Sequence, residues 1–458
     1  MAQEKPNIIL IFTDDHGYAD IGANGYASDV KTPNIDQLAA NGVRMTSGYI
    51  TAPQCIPSRA GILTGRYQQR FGLDENGTIP LPLEEILIPE RLIKAGYTTG
   101  MAGKWHLDPN HGSHEWIKKN MPKADSNQQI KIPAKLRRPY QTDKRDFDYV
   151  FEGYINQYHS NFDLTSGKKT EPKTITENGY RLEIQTKAAL AFIKENKEKP
   201  FFFYLSYFAP HVPLEATQKY LDRFPGDMPE RRRHALAMLS AIDNGVGDIK
   251  RTLKEFNIDQ NTLIFLISDN GAPLKIDKKD RPISFKGGAW DGSLNTPFVG
   301  EKGMLSEGGI RVPFIMNWPA ILPKGKVYDQ PVISLDVAAT ALSIAGLSKP
   351  KEFDGVDLIP YLTDQKMGNP HDALYWRFWS QAAVREGKYK FLKFGNREFL
   401  FDVTTEEHEY KNLIDSHPEI AQKLKAKLIN WSNTLKTKGI DSKPRASEKD
   451  WYDYYFKS

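Results

Sequence analysis

Four stretches of the chain are apolar almost without interruption: PNIILIFTDD (Pro6–Asp15), KPFFFYLSYFAP (Lys199–Pro210), NTLIFLISDNG (Asn261–Gly271) and RVPFIMNWP (Arg311–Pro319). Rich in β-branched and aromatic residues, they read as strands buried on both faces. Between them, TPNIDQLAANG (Thr32–Gly42) and RHALAMLSAIDNGVGDIKRTLKEF (Arg233–Phe256) carry the spacing of amphipathic helices. Strands and helices in alternation predict an α/β fold, a central and mainly parallel sheet sandwiched by helices. Ligands of such folds bind outside the carboxyl ends of the strands. Two of the four strands end there in acidic pairs, Asp14-Asp15 and Asp269-Asn270.

The pattern changes after about residue 350. LYWRFWSQAAVREGKYKFLKF (Leu374–Phe394) and REFLFDV (Arg397–Val403) look like antiparallel hairpin strands, and PEIAQKLKAKLINWSNTLK (Pro418–Lys436) reads as an amphipathic helix. The expected organisation is a larger α/β domain over residues 1–369 and a smaller C-terminal α+β subdomain over 370–458. No internal repeat or low-complexity tract is visible.

At 458 residues, 40% hydrophobic and 26% charged, the chain has the composition of a globular protein with a large core. It contains no run of about 18 apolar residues that could span a membrane. The N-terminal MAQEKPN lacks the basic and apolar regions of a secretory leader, so the protein is cytosolic or its leader has been removed. A net charge of +5 over this length is no nucleic-acid signature. The densest basic region, Lys118 to Arg145, is either a solvated insertion or an electrostatic funnel for an anionic substrate.

Adjacent carboxylates at a buried strand end need a compensating cation. If their strands are neighbours, Asp14, Asp15, Asp269 and Asn270 form an all-oxygen set suited to Ca2+ or Mg2+. Asp and Asn are also common where strands enter turns. The only cysteine, Cys55, opens CIPSRAGILTGRY, a helix start with Pro57 in its first turn. A helix N-terminus favours anions, and Arg59 adds a forked donor beside Cys55, although a buried inert thiol is the ordinary alternative. GKWHL sets Lys104 and His106 on one side if extended. APHVP puts His211 just past the Phe201–Phe208 strand, and Lys302 lies in GEKGMLSEGGIRVP.

Together these stretches resemble the formylglycine-dependent sulfatases of the alkaline-phosphatase-like superfamily. The resemblance runs from PNIILIFTDDHGYADIG to LFDVTTEEHEYKNLIDSHPE and centres on Cys55-Ile56-Pro57-Ser58-Arg59 followed by AGILTGRY. It implies that a maturation enzyme oxidises Cys55 to Cα-formylglycine, whose hydrate attacks sulfur and forms a covalent sulfo-enzyme intermediate. It implies Asp14, Asp15, Asp269, Asn270 and position 55 as metal ligands, for Ca2+ in preference to Mg2+. Arg59, Lys104, His106, His211 and Lys302 match the catalytic and sulfate-binding set. Lys302 is favoured over Lys286 because KGMLSEGGIRVP fits the family stretch. His16 could touch substrate or simply pack in its turn.

The resemblance is closest to marine bacterial polysaccharide sulfatases, notably those removing the 4-sulfate of iota-carrageenan, which implies a periplasmic or secreted protein. Gln157-Tyr158-His159 and Trp290-Asp291 supply groups of the kind that line sugar pockets, with His159 and Trp290 as candidate substrate contacts. Two other readings stay open: a phosphonate monoester or phosphodiester hydrolase of the same superfamily, and a catalytically idle protein that binds sulfated glycan.

Overall fold

The computed structural model describes residues 5–124, 130–285 and 288–456. Ten strands form the main sheet, in the spatial order Lys326–Tyr328, Val43–Met45, Phe314–Asn317, Thr262–Ser268, Asn7–Asp14, Phe201–Pro210, Thr98–Gly103, Tyr149–Gly153, Gln157–Phe162 and Lys169–Thr176. The five from Thr262–Ser268 to Tyr149–Gly153 are mutually parallel. The expected sheet is present, with one difference. The Arg311–Pro319 stretch shortens to Phe314–Asn317 and runs antiparallel to Thr262–Ser268. An apolar run fixes burial but not direction.

The period of two along the Asn7–Asp14 strand sends its side chains to opposite faces. Ile8, Leu10 and Phe12 enter one apolar cluster; Ile9 and Ile11 enter the other. The second cluster lies under the helices Arg181–Asn196 and Glu230–Glu255. The first extends through the Cys55–Thr64 helix to the C-terminal strands, taking in Trp376, Leu392 and Tyr452. The four C-terminal strands, Leu374–Phe378, Gln381–Glu386, Tyr389–Phe394 and Arg397–Asp402, form a separate antiparallel sheet. It shares that core with the main sheet. The Pro418–Ser432 helix covers it, and a further helix, Ala446–Tyr455, follows. No helix among the described residues is long and apolar enough to cross a membrane.

The topology sets the site. Thr262–Ser268, Asn7–Asp14, Phe201–Pro210 and Thr98–Gly103 lie side by side, with their carboxyl ends at one edge of the sheet. Asp269, Asp14-Asp15, His211 and Lys104 follow directly from those ends.

Candidate active site

Thr13 is in register with Ser268, which brings the two acidic pairs together. The Asp15 backbone N–H donates to Asp269 Oδ1 at 3.0 Å, and Asp15 itself turns with φ 60°, a left-handed conformation that aspartate tolerates. The Cys55–Thr64 helix completes the cluster. Its first turn is tied to a loop by the Ile56 N–H donating to Asn76 Oδ1 at 3.0 Å. Cys55 and Arg59 stand four residues apart and so share one helix face. One donor atom each from Asp14, Asp15, Cys55 and Asp269 all lie within 4.8 Å of one another, and every one of these residues is buried.

Cations surround this cluster. Lys104 Nζ lies 2.6 Å from Asp14 Oδ2, and Lys302 Nζ lies 2.6 Å from Asp15 Oδ1 and 3.4 Å from Cys55 Sγ. Arg59 donates to Asp269 Oδ2 at 2.8 Å and to Ser206 Oγ at 2.5 Å. Its terminal nitrogens are therefore engaged with the scaffold. Burial raises the Asp14 carboxyl, but Lys104, His211 and Arg59 outweigh it and hold it well below the usual range. Asp269 is pushed up to about 7 by burial and by Asp14 beside it. Burial, with Asp269 adding, pushes the Cys55 thiol up to about 12, so an unmodified Cys55 is a neutral thiol at neutral pH.

The donor set fits a divalent cation. Asn270 Nδ2 donates to Asp15 Oδ1 at 2.6 Å, while Asn270 Oδ1 is buried without a hydrogen-bond partner among the described residues. A buried orphan oxygen beside three carboxylates is what a hard oxygen-binding cation would satisfy.

The two histidines differ. His211 donates through Nδ1 to the Val212 carbonyl, since a carbonyl can only accept; this leaves Nε2 toward the cluster, 3.6 Å from Asp15 Oδ2. Burial lowers His211, with Lys302 and Lys104 adding, and Asp14 and Asp15 oppose the shift in part. Burial and then Lys104 hold His106 well below its usual range. The extended stretch on which a shared side for Lys104 and His106 depends does not continue through His106. The strand ends at Gly103 (φ 102°), where a Cβ would meet the Ser206 carbonyl oxygen at 1.9 Å, and His106 is itself left-handed at φ 62°.

Other expectations separate here. His16 is fully buried, with Nδ1 at Thr13 Oγ1 and Nε2 at the Asp20 carbonyl, so it packs its turn rather than facing substrate. His159 stands on the Gln157–Phe162 strand, four strands from Asp14 and so about 19 Å away. It sits 3.7 Å from Asp143, outside the cluster. Trp290 is buried against Ala272 and Leu274, and its indole N–H donates to the Ser293 carbonyl. Its neighbour Asp291 faces the site instead. A cleft of about 580 Å3 opens from Asp15, His211 and Lys302 and is walled by Asp291, Leu214, Ile283 and Phe285. Lys286 lies outside the described residues. In the basic region, Arg137, Arg138 and Arg145 pair with Asp108, Asp143 and Glu90, which offsets these three arginines as part of a funnel.

The parallel sheet, the buried carboxylates at its strand ends and the lysines ranged around a helix-borne cysteine define an anion-ester hydrolase of the α/β type. The chain belongs to the sulfatase family: it matches the family Sulfatase over residues 6–347 and the C-terminal region of N-sulphoglucosamine sulphohydrolase over residues 299–434. It is 34% identical over 416 residues to N-acetylgalactosamine-6-sulfatase of Mus musculus, covering 85% of this chain and 72% of that protein. The crystal structure of Ps i-CgsB in complex with k-i-k-neocarrahexaose superposes with a TM-score of 0.77 at 29% identity, over 99% of this chain and 100% of that one. A phosphonate monoester hydrolase from Silicibacter pomeroyi shares the fold, with a TM-score of 0.64 at 20% identity over 92% and 94% of the two chains. The protein is a sulfuric ester hydrolase.

Proposed function

We propose that the protein removes sulfate from a sulfated polysaccharide or oligosaccharide, with the 4-sulfate of iota-carrageenan as the favoured ester. The observation that carries this reading is the convergence of Asp14, Asp15, Asp269, Cys55, Lys104, Lys302 and His211 at one end of a cleft wide enough for a sugar. The likeness to a carrageenan-complexed structure supports the choice of glycan. Asp14, Asp15, Asp269, Asn270 and position 55 would hold Ca2+, with Mg2+ second. A maturation enzyme would act on Cys55, and the compartment would be the periplasm or exterior of a bacterium.

Ca2+ and the formylglycine hydrate supply a Lewis acid and an activated oxygen nucleophile. The chain's own residues do the rest. Lys104 and Lys302 bind the sulfate oxygens and stabilise charge as it redistributes in the transition state. Arg59 fixes Asp269 and holds the charge balance of the buried carboxylates. His211, its Nδ1 anchored on Val212, presents Nε2 to the leaving oxygen and protonates it. An anionic substrate offsets the depressed basicity of His211, so the imidazolium forms as substrate binds. His106, uncharged in the resting site, takes up the proton released at position 55 in the second half of the reaction.

The test is the release of inorganic sulfate from iota-carrageenan oligosaccharides, compared with glycosaminoglycan 6-sulfates and an aryl phosphodiester. Release mainly from the carrageenan 4-position supports the assignment. Faster turnover of the phosphodiester would favour the hydrolase alternative, and tight glycan binding with no release would favour an idle binder.

A further inference from the structure

The turn that follows Leu274 is bent in a way its residues resist. Lys275, Ile276 and Lys278 have φ of 51°, 63° and 51°, all left-handed. For a β-branched residue such as Ile276 that conformation is an outlier, and such backbone persists only where its surroundings enforce it. Glu301 supplies the enforcement. Its fully buried side chain accepts from the Lys275 N–H at 2.7 Å through Oε2 and from the Ile276 N–H at 2.8 Å through Oε1. The next residue, Lys302, donates its own N–H to the Ala272 carbonyl at 3.1 Å. The turn is thus fastened at both points to the segment that carries Lys302.

What this clamp delivers is the Lys275 side chain. Lys275 is exposed and lines the same cleft as Asp15, His211 and Lys302. The end of its chain lies beside Gly288, another lining residue, where a Cβ would stand 3.9 Å from Nζ. Lys104 and Lys302 are held by Asp14 and Asp15, whereas Lys275 forms no ion pair among the described residues. Nor do nearby acids cancel it. Residues 274–281 carry Lys275, Lys278, Lys279 and Arg281 against Asp277 and Asp280. Asp280 accepts from the backbone N–H groups of Glu230 and Arg231 at 2.9 and 3.0 Å, and Asp277 from that of Lys279 at 3.1 Å.

An ordinary solvated lysine needs neither a strained turn nor a buried carboxyl to hold that turn in place. Beside Lys275, Phe285, Ile283 and Leu214 give the cleft an apolar wall, with Phe285 39% exposed. The Arg281 guanidinium stacks on the Phe285 ring at 4.8 Å. A cleft with one lysine at its inner end, a second at its rim and an apolar wall is the complement of a glycan bearing two sulfates.

Resting on the sulfatase reading, we propose that Lys275 is a specificity residue that binds a second sulfate ester of the glycan, one that is not cleaved. The scissile sulfate meets Lys302 at the inner end, and the other, on a neighbouring sugar, meets the Lys275 ammonium at the rim. This contact is the same before and during bond breaking, so it acts on KM more than on kcat.

The experiment uses the matured, Ca2+-loaded enzyme and its K275N and K275R variants. Asparagine tolerates the left-handed turn, so K275N removes the charge without adding strain. The substrates are iota- and kappa-carrageenan oligosaccharides of equal length, which share the galactose 4-sulfate and differ by a second sulfate on the neighbouring sugar. The wild type should favour the iota compound by about three- to fivefold in kcat/KM, chiefly through KM, and added salt should erode that preference. K275N should cut it to within about 1.5-fold, and K275R should keep it. No preference in the wild type, or one that K275N leaves intact, would overturn the proposal. An equal loss on both compounds would also overturn it and assign Lys275 to the turn alone. A wild type releasing no sulfate from either compound would instead overturn the function on which it rests.

Discussion

Burial pushes the Cys55 thiol up to about 12, so it is neutral at neutral pH, and on the proposed reading it acts only once converted to formylglycine. C55A should fold normally and lose sulfate-ester turnover to background, checked by sulfate release together with circular dichroism. His211 belongs to the same scale. Its replacement by alanine should lower kcat/KM by about 10²- to 10⁴-fold for sugar sulfates, whose leaving alcohols need a proton. It should do far less for aryl sulfates, and equal losses on both would remove it as the acid. The core residues of the site were legible in the sequence because they follow apolar strands or lie in the C-x-P-S-R stretch. The sequence points to Trp290 as a substrate contact, whereas its side chain is buried and Asp291 lines the cleft. Adjacent residues of a loop point opposite ways, and the hydrogen bonds that turn Trp290 inward come from Arg231 and Ser293, far apart in sequence.

Between the Glu307–Ile310 helix and the C-terminal sheet lies a fully buried ionic knot. Lys390 Nζ is 2.9 Å from both Glu307 Oε1 and Glu409 Oε1, while Glu307 Oε2 accepts from Tyr49 at 2.6 Å and from Arg311 at 3.1 Å. E307Q leaves Lys390 and Arg311 undercompensated and should destabilise by about 3–5 kcal/mol, read from urea unfolding. Burial raises Glu307, but Lys390, Arg311 and Arg385 outweigh it and bring it down to about 2; burial and Glu307 push Glu409 up to about 7. Glu409 therefore holds a proton in the folded state that the unfolded chain has released above its ordinary 4.5. Its contribution is present below 4.5 and lost as pH rises toward 7, so stability falls across that window. E409Q should flatten this fall, by up to about 3 kcal/mol, in unfolding series run across those pH values. None of this knot was foreseen, because its members come from four separate segments. The hairpin strands and the Pro418 helix were legible from periodicity. The Ala446–Tyr455 helix was not, since its mostly polar sequence buries Tyr452 and Glu448 but shows little of a stripe.

For the whole molecule, the shared apolar cluster couples the main sheet to the C-terminal layer, and the proposed cation site sits where four strands end above that core. Ca2+ bound there, as proposed, would stabilise the fold by mass action, by about 2.7 kcal/mol at a hundredfold excess over Kd. Chelation should lower the Tm and abolish turnover, and Ca2+ should restore both. Unchanged Tm and activity after exhaustive chelation would remove the cation from the account. The class of fold was legible because alternating apolar runs and helical stripes determine layers. The order of strands was not, since it depends on pairings between residues hundreds apart, such as Asn7 with Thr262.

The central claim is that position 55, oxidised and surrounded by these carboxylates and lysines, hydrolyses sulfate esters. Its most direct test is sulfate release from iota-carrageenan oligosaccharides by Ca2+-loaded samples whose aldehyde content at position 55 is set by co-production with the maturation enzyme. That content is read by mass spectrometry of peptide Met45–Arg59. The account predicts release in proportion to the aldehyde fraction, falling to background in the unmodified protein. Release independent of that fraction, or none from any sulfate ester by a fully aldehyde-bearing sample, would contradict it.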